Sequence, residues 1–186
     1  MIAFPQTTEI IVRPMRLDDL EQVHEIDRVS FSMPWPPSSY RYELVENRFS
    51  LLYVAEAHLP GEGSRVVGMI VLWLIMDEAH IATLAVQTEY RSRGISQRML
   101  TIALQESIRR GAHLATLEVR SQNKIAQALY RRFRFKVVGH RPRYYQDNKE
   151  DALLMTVDLR QIDEQGLTYL EWLASVARRS DSIIWK

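Results

Sequence analysis

Residues 79–110 hold the pattern that most limits what this chain can fold into. An apolar strand-like run over 79–86 leads through the basic turn Arg91-Ser92-Arg93-Gly94-Ile95-Ser96 into a helical repeat. That repeat places Met99, Leu100, Ala103, Leu104 and Ile108 on one wide face. Each element has an apolar face to bury, so a strand feeding directly into an amphipathic helix commits the chain to a layered α/β arrangement. The turn also has chemical meaning. N–H groups at a helix start lack intrahelical partners, the helix dipole favours an anion, and arginines add charge. A multiply phosphorylated ligand suits such a turn; the plainer alternative is an exposed basic turn that only caps a helix.

Charge distribution points the same way. Residues 91–143 carry 13 Lys and Arg but two acids, Glu106 and Glu118, in a chain with 24 basic and 23 acidic side chains. The remainder is left with 11 basic and 21 acidic residues. The turn is not a nucleotide P-loop, which needs a Lys-Ser/Thr pair after its second glycine. Nor is it a dinucleotide fingerprint, because no Gly-x-Gly precedes Gly94.

Periodicity predicts the other elements. Strands are expected at 9–15, 51–57, 65–75, 113–120, 135–139 and 152–159. Helices are expected from Asp18 and Asp19 to about Val29, from a Ser38 or Ser39 cap to about Asn47, and after a Ser121 or Asn123 cap. The last of these carries Ile125, Ala128, Leu129 and Phe133 as its apolar residues. Three prolines exclude helix from 31–37, and 60–64 is a turn. The order β-α-α-β-β-β-α-β-α-β-β reads as an α/β fold, a mixed central sheet flanked by helices. Residues 1–160 form one domain, and 161–186 a C-terminal helical extension with Leu167, Leu170, Leu173 and Val176 on a stripe. That stripe is to be buried either in cis or against a second copy.

Several classes of chemistry drop out. There is no cysteine, hence no disulfide, thiolate metal site or cysteine nucleophile. No apolar run approaches the roughly 18–20 residues needed to span a bilayer, and the start Met1-Ile2-Ala3-Phe4-Pro5 lacks a secretory pattern. A cytoplasmic protein without membrane association is expected. The five histidines, at 24, 58, 80, 113 and 140, show no metal-ligand spacing and read as surface or packing residues, so no metal is expected. Glu118 stands in the apolar run Leu114-Ala115-Thr116-Leu117-Glu118-Val119-Arg120. A carboxylate there is costly unless paired or functional, and its structural alternative is an ion pair with Arg120 or another arginine. Tyr130, on the following helix, is a packing residue unless its context says otherwise.

Together these segments resemble the GNAT superfamily of N-acetyltransferases. Leu84-Ala85-Val86 followed by Arg91-Ser92-Arg93-Gly94-Ile95-Ser96 is similar to its acyl-CoA motif, Gln/Arg-x-x-Gly-x-Gly/Ala. Arg91 and Gly94 agree; Ser96 departs but is small enough for close backbone approach. The nearest likeness is to the ribosomal-protein alanine N-acetyltransferases. It is carried over about 9–159 by the Phe31 to Trp35 loop, Asp77-Glu78-Ala79, Leu117-Glu118-Val119-Arg120-Ser121-Gln122-Asn123, Ala128-Leu129-Tyr130, Phe133-Arg134-Phe135 with Arg134 in place of a glycine, Arg143-Tyr144-Tyr145 and Asp151-Ala152-Leu153-Leu154-Met155.

The resemblance implies a GNAT-like sheet and direct acetyl transfer from acetyl-CoA to an amine. Glu118 would be the general base, through water, and Tyr130 the acid that protonates the departing thiolate. Leu84, Ala85 and Val86 would offer backbone groups to the pantetheine and the acetyl carbonyl. Arg91, Ser92, Arg93, Gly94, Ile95, Ser96 and Gln97 would hold the pyrophosphate, and Asn123 the pantetheine arm or the loop near it. Trp35, Tyr144 and Tyr145 are expected to border the acceptor groove, since proline-stiffened and aromatic segments supply rigid contact area. The acceptor implied is a protein N-terminus, that of a ribosomal protein, with no direct nucleic-acid binding. Another terminus, a lysine, a small amine, or binding without turnover are the alternatives. An α-amine of pKa ~8 costs about 1.4 kcal/mol to deprotonate at pH 7, against about 4.6 kcal/mol for a lysine. A single carboxylate is adequate for the first task.

Overall fold

A computed structural model describes residues 9–59, 61, 63–163 and 165–181. The N-terminal stretch 1–8, residues 60 and 62 of the turn at 60–64, residue 164 and the last five residues of the extension lie outside the described residues. Among the described residues seven strands form one sheet: β1 (Glu9–Pro14), β2 (Ser50–Leu59), β3 (Gly63–Ile75), β4 (Glu78–Val86), β5 (Leu114–Arg120), β6 (Lys136–Arg141) and β7 (Ala152–Asp158), in the order β1-β2-β3-β4-β5-β7-β6. The helices are α1 (Leu20–Ser30), α2 (Pro37–Val45), α3 (Ile95–Arg109), α4 (Lys124–Arg132) and α5 (Tyr169–Asp181). The element order is the one read from the sequence.

Strands β1 to β4 pair antiparallel; short turns join β2 to β3 and β3 to β4, while α1 and α2 lie between β1 and β2. Strand β5 lies parallel to β4 because α3 carries the chain back across the sheet. Helices cover both faces. Val23, Ile26 and Tyr40 of α1 and α2 pack with Val54, Met69 and Val71. On the other face Met99, Leu100, Ala103 and Leu104 of α3 pack with Ile70, Leu72, Ala115 and Leu117.

One departure from regular pairing positions the site. Strands β4 and β5 pair only at Glu78–His80 with Leu114–Thr116. Beyond that point they part. A register shift opposite Val71 and Leu72 leaves Ala82 as the extra residue of β4, and a bulge bends its strand. The sheet therefore opens into a wedge between the C-terminal ends of two parallel strands.

Three local expectations are corrected. Helix α2 starts at Pro37 without a Ser38 or Ser39 cap; proline suits the first position, where its missing N–H is not needed. In α4, Ile125 is 87% exposed, and Gln127 and Tyr130 take the buried positions. Helix α5 begins at Tyr169 and not near 161, leaving Leu167 ahead of it and 38% exposed. Tyr169 and Leu173 are fully buried in the core that α3 covers, and the Tyr169 hydroxyl donates to the Phe133 carbonyl at 2.7 Å. Docking in cis is thus the arrangement adopted by the described part of the extension. Arg134 explains its own departure from glycine: it follows α4 at φ +64°, a left-handed conformation that glycine adopts without penalty. Its guanidinium is held by Asp163 at 2.9 Å and lies over the Trp172 ring at 4.5 Å.

Candidate active site

The turn after β4 enters α3 with Ser92 at φ +62° and Gly94 at φ +71°. No side chain caps the helix, so the first N–H groups of α3 point out of the turn unengaged by a cap. A Cβ on Gly94 would meet nothing within 4 Å. Glycine is therefore required here for its positive φ and not for space. Arg91 Nε donates to the Val86 carbonyl at 3.0 Å, which ties the turn to the strand it leaves.

This turn forms one end of a cavity of about 530 Å³ that runs along β4 to α4. Leu84, Val86, Arg91, Ser92, Gly94, Ile95, Ser96, Gln97, Asn123 and Tyr130 all line it, as does Phe31 from the loop after α1. The side chains of Ala85 and Arg93 do not. Ala85 is buried with Met69 on the α1 face, and the Arg93 guanidinium lies over Tyr90 at 5.2 Å. Asn123 also caps α4, accepting from the Ala126 N–H at 3.1 Å. A larger hollow, about 750 Å³ around Arg134, Lys136 and Gln161, includes none of these residues and no long-helix N-terminus.

The cavity fits acetyl-CoA in chemical terms. Uncapped N–H groups suit a pyrophosphate, and an apolar wall with an unpaired strand edge suits a pantetheine arm. Ser30 also lines the cavity, and its Oγ is buried without a hydrogen-bond partner. Such an atom is costly unless a ligand or water completes it.

Strand β5 supplies the acid. Its period of two sends Ala115, Leu117 and Val119 into the core and Thr116, Glu118 and Arg120 to the face toward the α1–α2 loop. The Glu118 side chain is 10% exposed, with Oε1 2.9 Å from Arg141 Nη1 and Oε2 3.3 Å from His80 Nε2. Arg120 is not its partner. It bonds Asp147 at 2.8 Å, Glu150 at 3.2 Å and the Ser32 hydroxyl at 3.0 Å, and covers the Tyr145 ring at 3.8 Å. Ser32 donates to Asp147 as well. These bonds hold the Asp147 carboxyl down at about 2, and they tie the loop after α1 to the loop between β6 and β7.

His80 is the residue that the sequence reading passed over. Its ring stacks on Trp73 at 5.6 Å, Trp73 on Trp35 at 6.0 Å, and Trp35 on Tyr40 at 5.0 Å. Trp35 thus reaches Glu118 only through two intervening rings. The Trp35 backbone N–H donates to Asp27 Oδ2 at 2.6 Å. Tyr144 and Tyr145 meet edge to face at 5.2 Å on the opposite loop. Burial pushes the Tyr145 phenol up to about 12, with Arg120 opposing.

Tyr130 approaches from the other face of the sheet. It is 8% exposed and edge-on to Phe135 at 5.8 Å. Burial raises its pKa well above the usual phenol range, so the hydroxyl stays protonated. Tyr130 lines the cavity and keeps its proton, while Glu118, on the other face of the sheet, is not among the residues that line it.

The model of the acetyltransferase (GNAT) family matches residues 20–135. A putative ribosomal protein bS18-alanine N-acetyltransferase of Bacillus subtilis (strain 168) is 36% identical over 154 residues, covering 83% of this chain and 99% of that protein. The crystal structure of the ribosomal-protein-S18-alanine N-acetyltransferase from Escherichia coli is similar with a TM-score of 0.71 at 23% identity, covering 84% and 97%. Arabidopsis thaliana NAA60 in complex with acetyl-CoA is similar with a TM-score of 0.74 at 21% identity, covering 82% and 100%. At those identities the two structures speak to the fold alone. The family model spans more than half of the chain, and the Bacillus relative matches nearly end to end: the chain belongs to the GNAT family of acetyltransferases.

Proposed function

We propose that this protein transfers the acetyl group of acetyl-CoA to the α-amine of an N-terminal alanine, and that the acceptor is ribosomal protein bS18. The observation that carries the reaction is the wedge between β4 and β5. It has an uncapped α3 N-terminus at one end, Glu118 on one side and a protonated Tyr130 on the other. The acceptor rests on the Bacillus relative's name and its 36% identity over almost its whole length.

Acetyl-CoA supplies the acyl group already activated as a thioester. The first turn of α3 and the Arg91–Gly94 backbone bind its phosphates. The parted edge of β4 offers the N–H and C=O of Leu84 and the N–H of Val86, whose carbonyl already accepts from Arg91, to orient the pantetheine arm and the thioester. Glu118, directly or through one water, takes a proton from the acceptor's ammonium. Tyr130 gives its proton to the sulfur that leaves. A positioned acid or base of this kind contributes about 10²–10⁴-fold.

Free-thiol release from acetyl-CoA tests the reading, with a synthetic bS18 N-terminal peptide as acceptor and the same peptide N-blocked as control. Release with the free peptide alone is expected. Equal release with both, or none with either, overturns the α-amine assignment.

A further inference from the structure

We propose that the base of this site is the Glu118–His80 pair and not Glu118 alone, with a proton path from His80 through Thr116 to Glu78; this deepens the acetyl-transfer reading and rests on it. Thr116 has a single hydroxyl proton, and it goes to Glu78 Oε1 at 2.5 Å. At its 3.0 Å contact with His80 Nδ1, Thr116 Oγ1 is then an acceptor, so Nδ1 carries the ring's proton. A neutral His80 then presents a bare Nε2 to Glu118 Oε2 at 3.3 Å. Two acceptors face each other across a gap that one proton would fill. Arg141 occupies Oε1, which leaves Oε2 as the oxygen for both the acceptor amine and His80.

Hydrogen-bonding groups and an indole surround the ring. Glu118 and Thr116 face it from β5, Glu78 from its own strand, and the Trp73 indole stacks on it from β3. Arg141 on β6 stands behind Glu118.

The step balances. The acceptor ammonium gives one proton into the Oε2···Nε2 gap. Its nitrogen then forms the C–N bond to the acetyl carbon as the C–S bond breaks. The sulfur leaves with the electron pair and takes the Tyr130 proton; the nitrogen's second proton, shed as the amide forms, restores that hydroxyl. The first proton remains to be cleared. His80 holds it at Nε2 and passes the Nδ1 proton to Thr116. Thr116 hands its own to Glu78, which is half-buried at the outer end of β4 beside the exposed hairpin tip at Met76 and Asp77 and releases it to solvent; once product has left, proton exchange with water returns the ring from its Nε2–H to its Nδ1–H form.

The test is kcat as a function of pH for the parent, His80→Gln and Thr116→Val, with acetyl-CoA Kd and thermal midpoint measured alongside. Glutamine keeps polar contacts but does not take up a proton; valine removes the Thr116 hydroxyl without disturbing the ring stack. His80→Gln is expected to lower kcat by about 10–10²-fold with acetyl-CoA Kd within about twofold. Its acidic limb should move to lower pH, because a carboxylate alone replaces a carboxylate–imidazole pair. Thr116→Val should lower kcat by roughly three- to tenfold. An unchanged kcat and limb in both variants would overturn the relay and leave His80 as packing for Trp73. If the parent turns over a lysine peptide but not the bS18 peptide, the acceptor reading fails, and the same comparison is made with the lysine peptide. A parent that turns over neither overturns both.

Discussion

Replacing Gly94 separates two reasons for a glycine in the cradle. At φ +71°, with no atom within 4 Å of a built Cβ, the cost of a side chain is conformational. Holding alanine in the left-handed region costs about 1–2 kcal/mol, whereas asparagine visits that region more readily. In the free protein the turn of Gly94→Ala can relax to negative φ, turning the N–H groups away, and phosphate binding must then restore it. At RT of about 0.59 kcal/mol, that penalty weakens acetyl-CoA roughly 5- to 30-fold. Gly94→Asn should weaken it less, despite its larger side chain. Titration calorimetry with acetyl-CoA reads both. Were the side chain to obstruct the ligand instead, asparagine would be the worse of the two. If neither variant changes affinity, the phosphates do not sit on this turn and the cradle is refuted.

Three further outcomes are expected. Trp35→Ala should raise KM for the acceptor peptide about threefold or more while leaving KM for acetyl-CoA near the parent's, since aromatic contacts are worth about 0.5–1.5 kcal/mol; equal effects on both substrates would count against Trp35 in the acceptor wall. Leu173→Ala removes a fully buried side chain and should cost about 3 kcal/mol, lowering Tm by roughly 6–12 °C with acetyl-CoA binding kept. An unchanged Tm would mean that α5 does not dock as described. Glu56, hydrogen-bonded by Arg13 at 2.8 Å, has its carboxyl lowered to about 2. Its folded pKa lies below its unfolded value, so its contribution is complete above about pH 4.5 and is lost as pH falls toward 2. The urea midpoint should drop across that window, and less steeply in Glu56→Gln.

The sequence was informative where structure is local. The basic turn, the helix after it, the lone acid of β5 and the tyrosine of α4 were all legible, because each depends on spacing within a few residues. Three things were not. The parting of β4 from β5 follows from a bulge at Ala82 and from a crossover longer than any periodicity window. The insertion of β7 between β5 and β6 is a choice of neighbour that the order of strands leaves open. The meeting of His80 with Glu118 spans 38 positions in sequence and is made only by parallel pairing. A faint signal existed for that last contact: His80 is a polar ring in an otherwise apolar run, and Trp73 pairs with it across β3. The start of α5 was misplaced for a related reason. A threefold repeat of leucines marks a helix, but the core takes up Tyr169, a tyrosine outside that stripe, together with Leu173, and leaves Leu167 exposed ahead of the helix.

Mass spectrometry of bS18 bearing a free N-terminal alanine, incubated with acetyl-CoA and either the parent or Glu118→Gln, tests the central claim most directly. One acetyl group on the α-amine is expected with the parent, and an initial rate about 10²–10⁴-fold lower with the variant at unchanged acetyl-CoA affinity. Acetyl found on lysine side chains, or an α-amine acetylated as fast by the variant as by the parent, would contradict it.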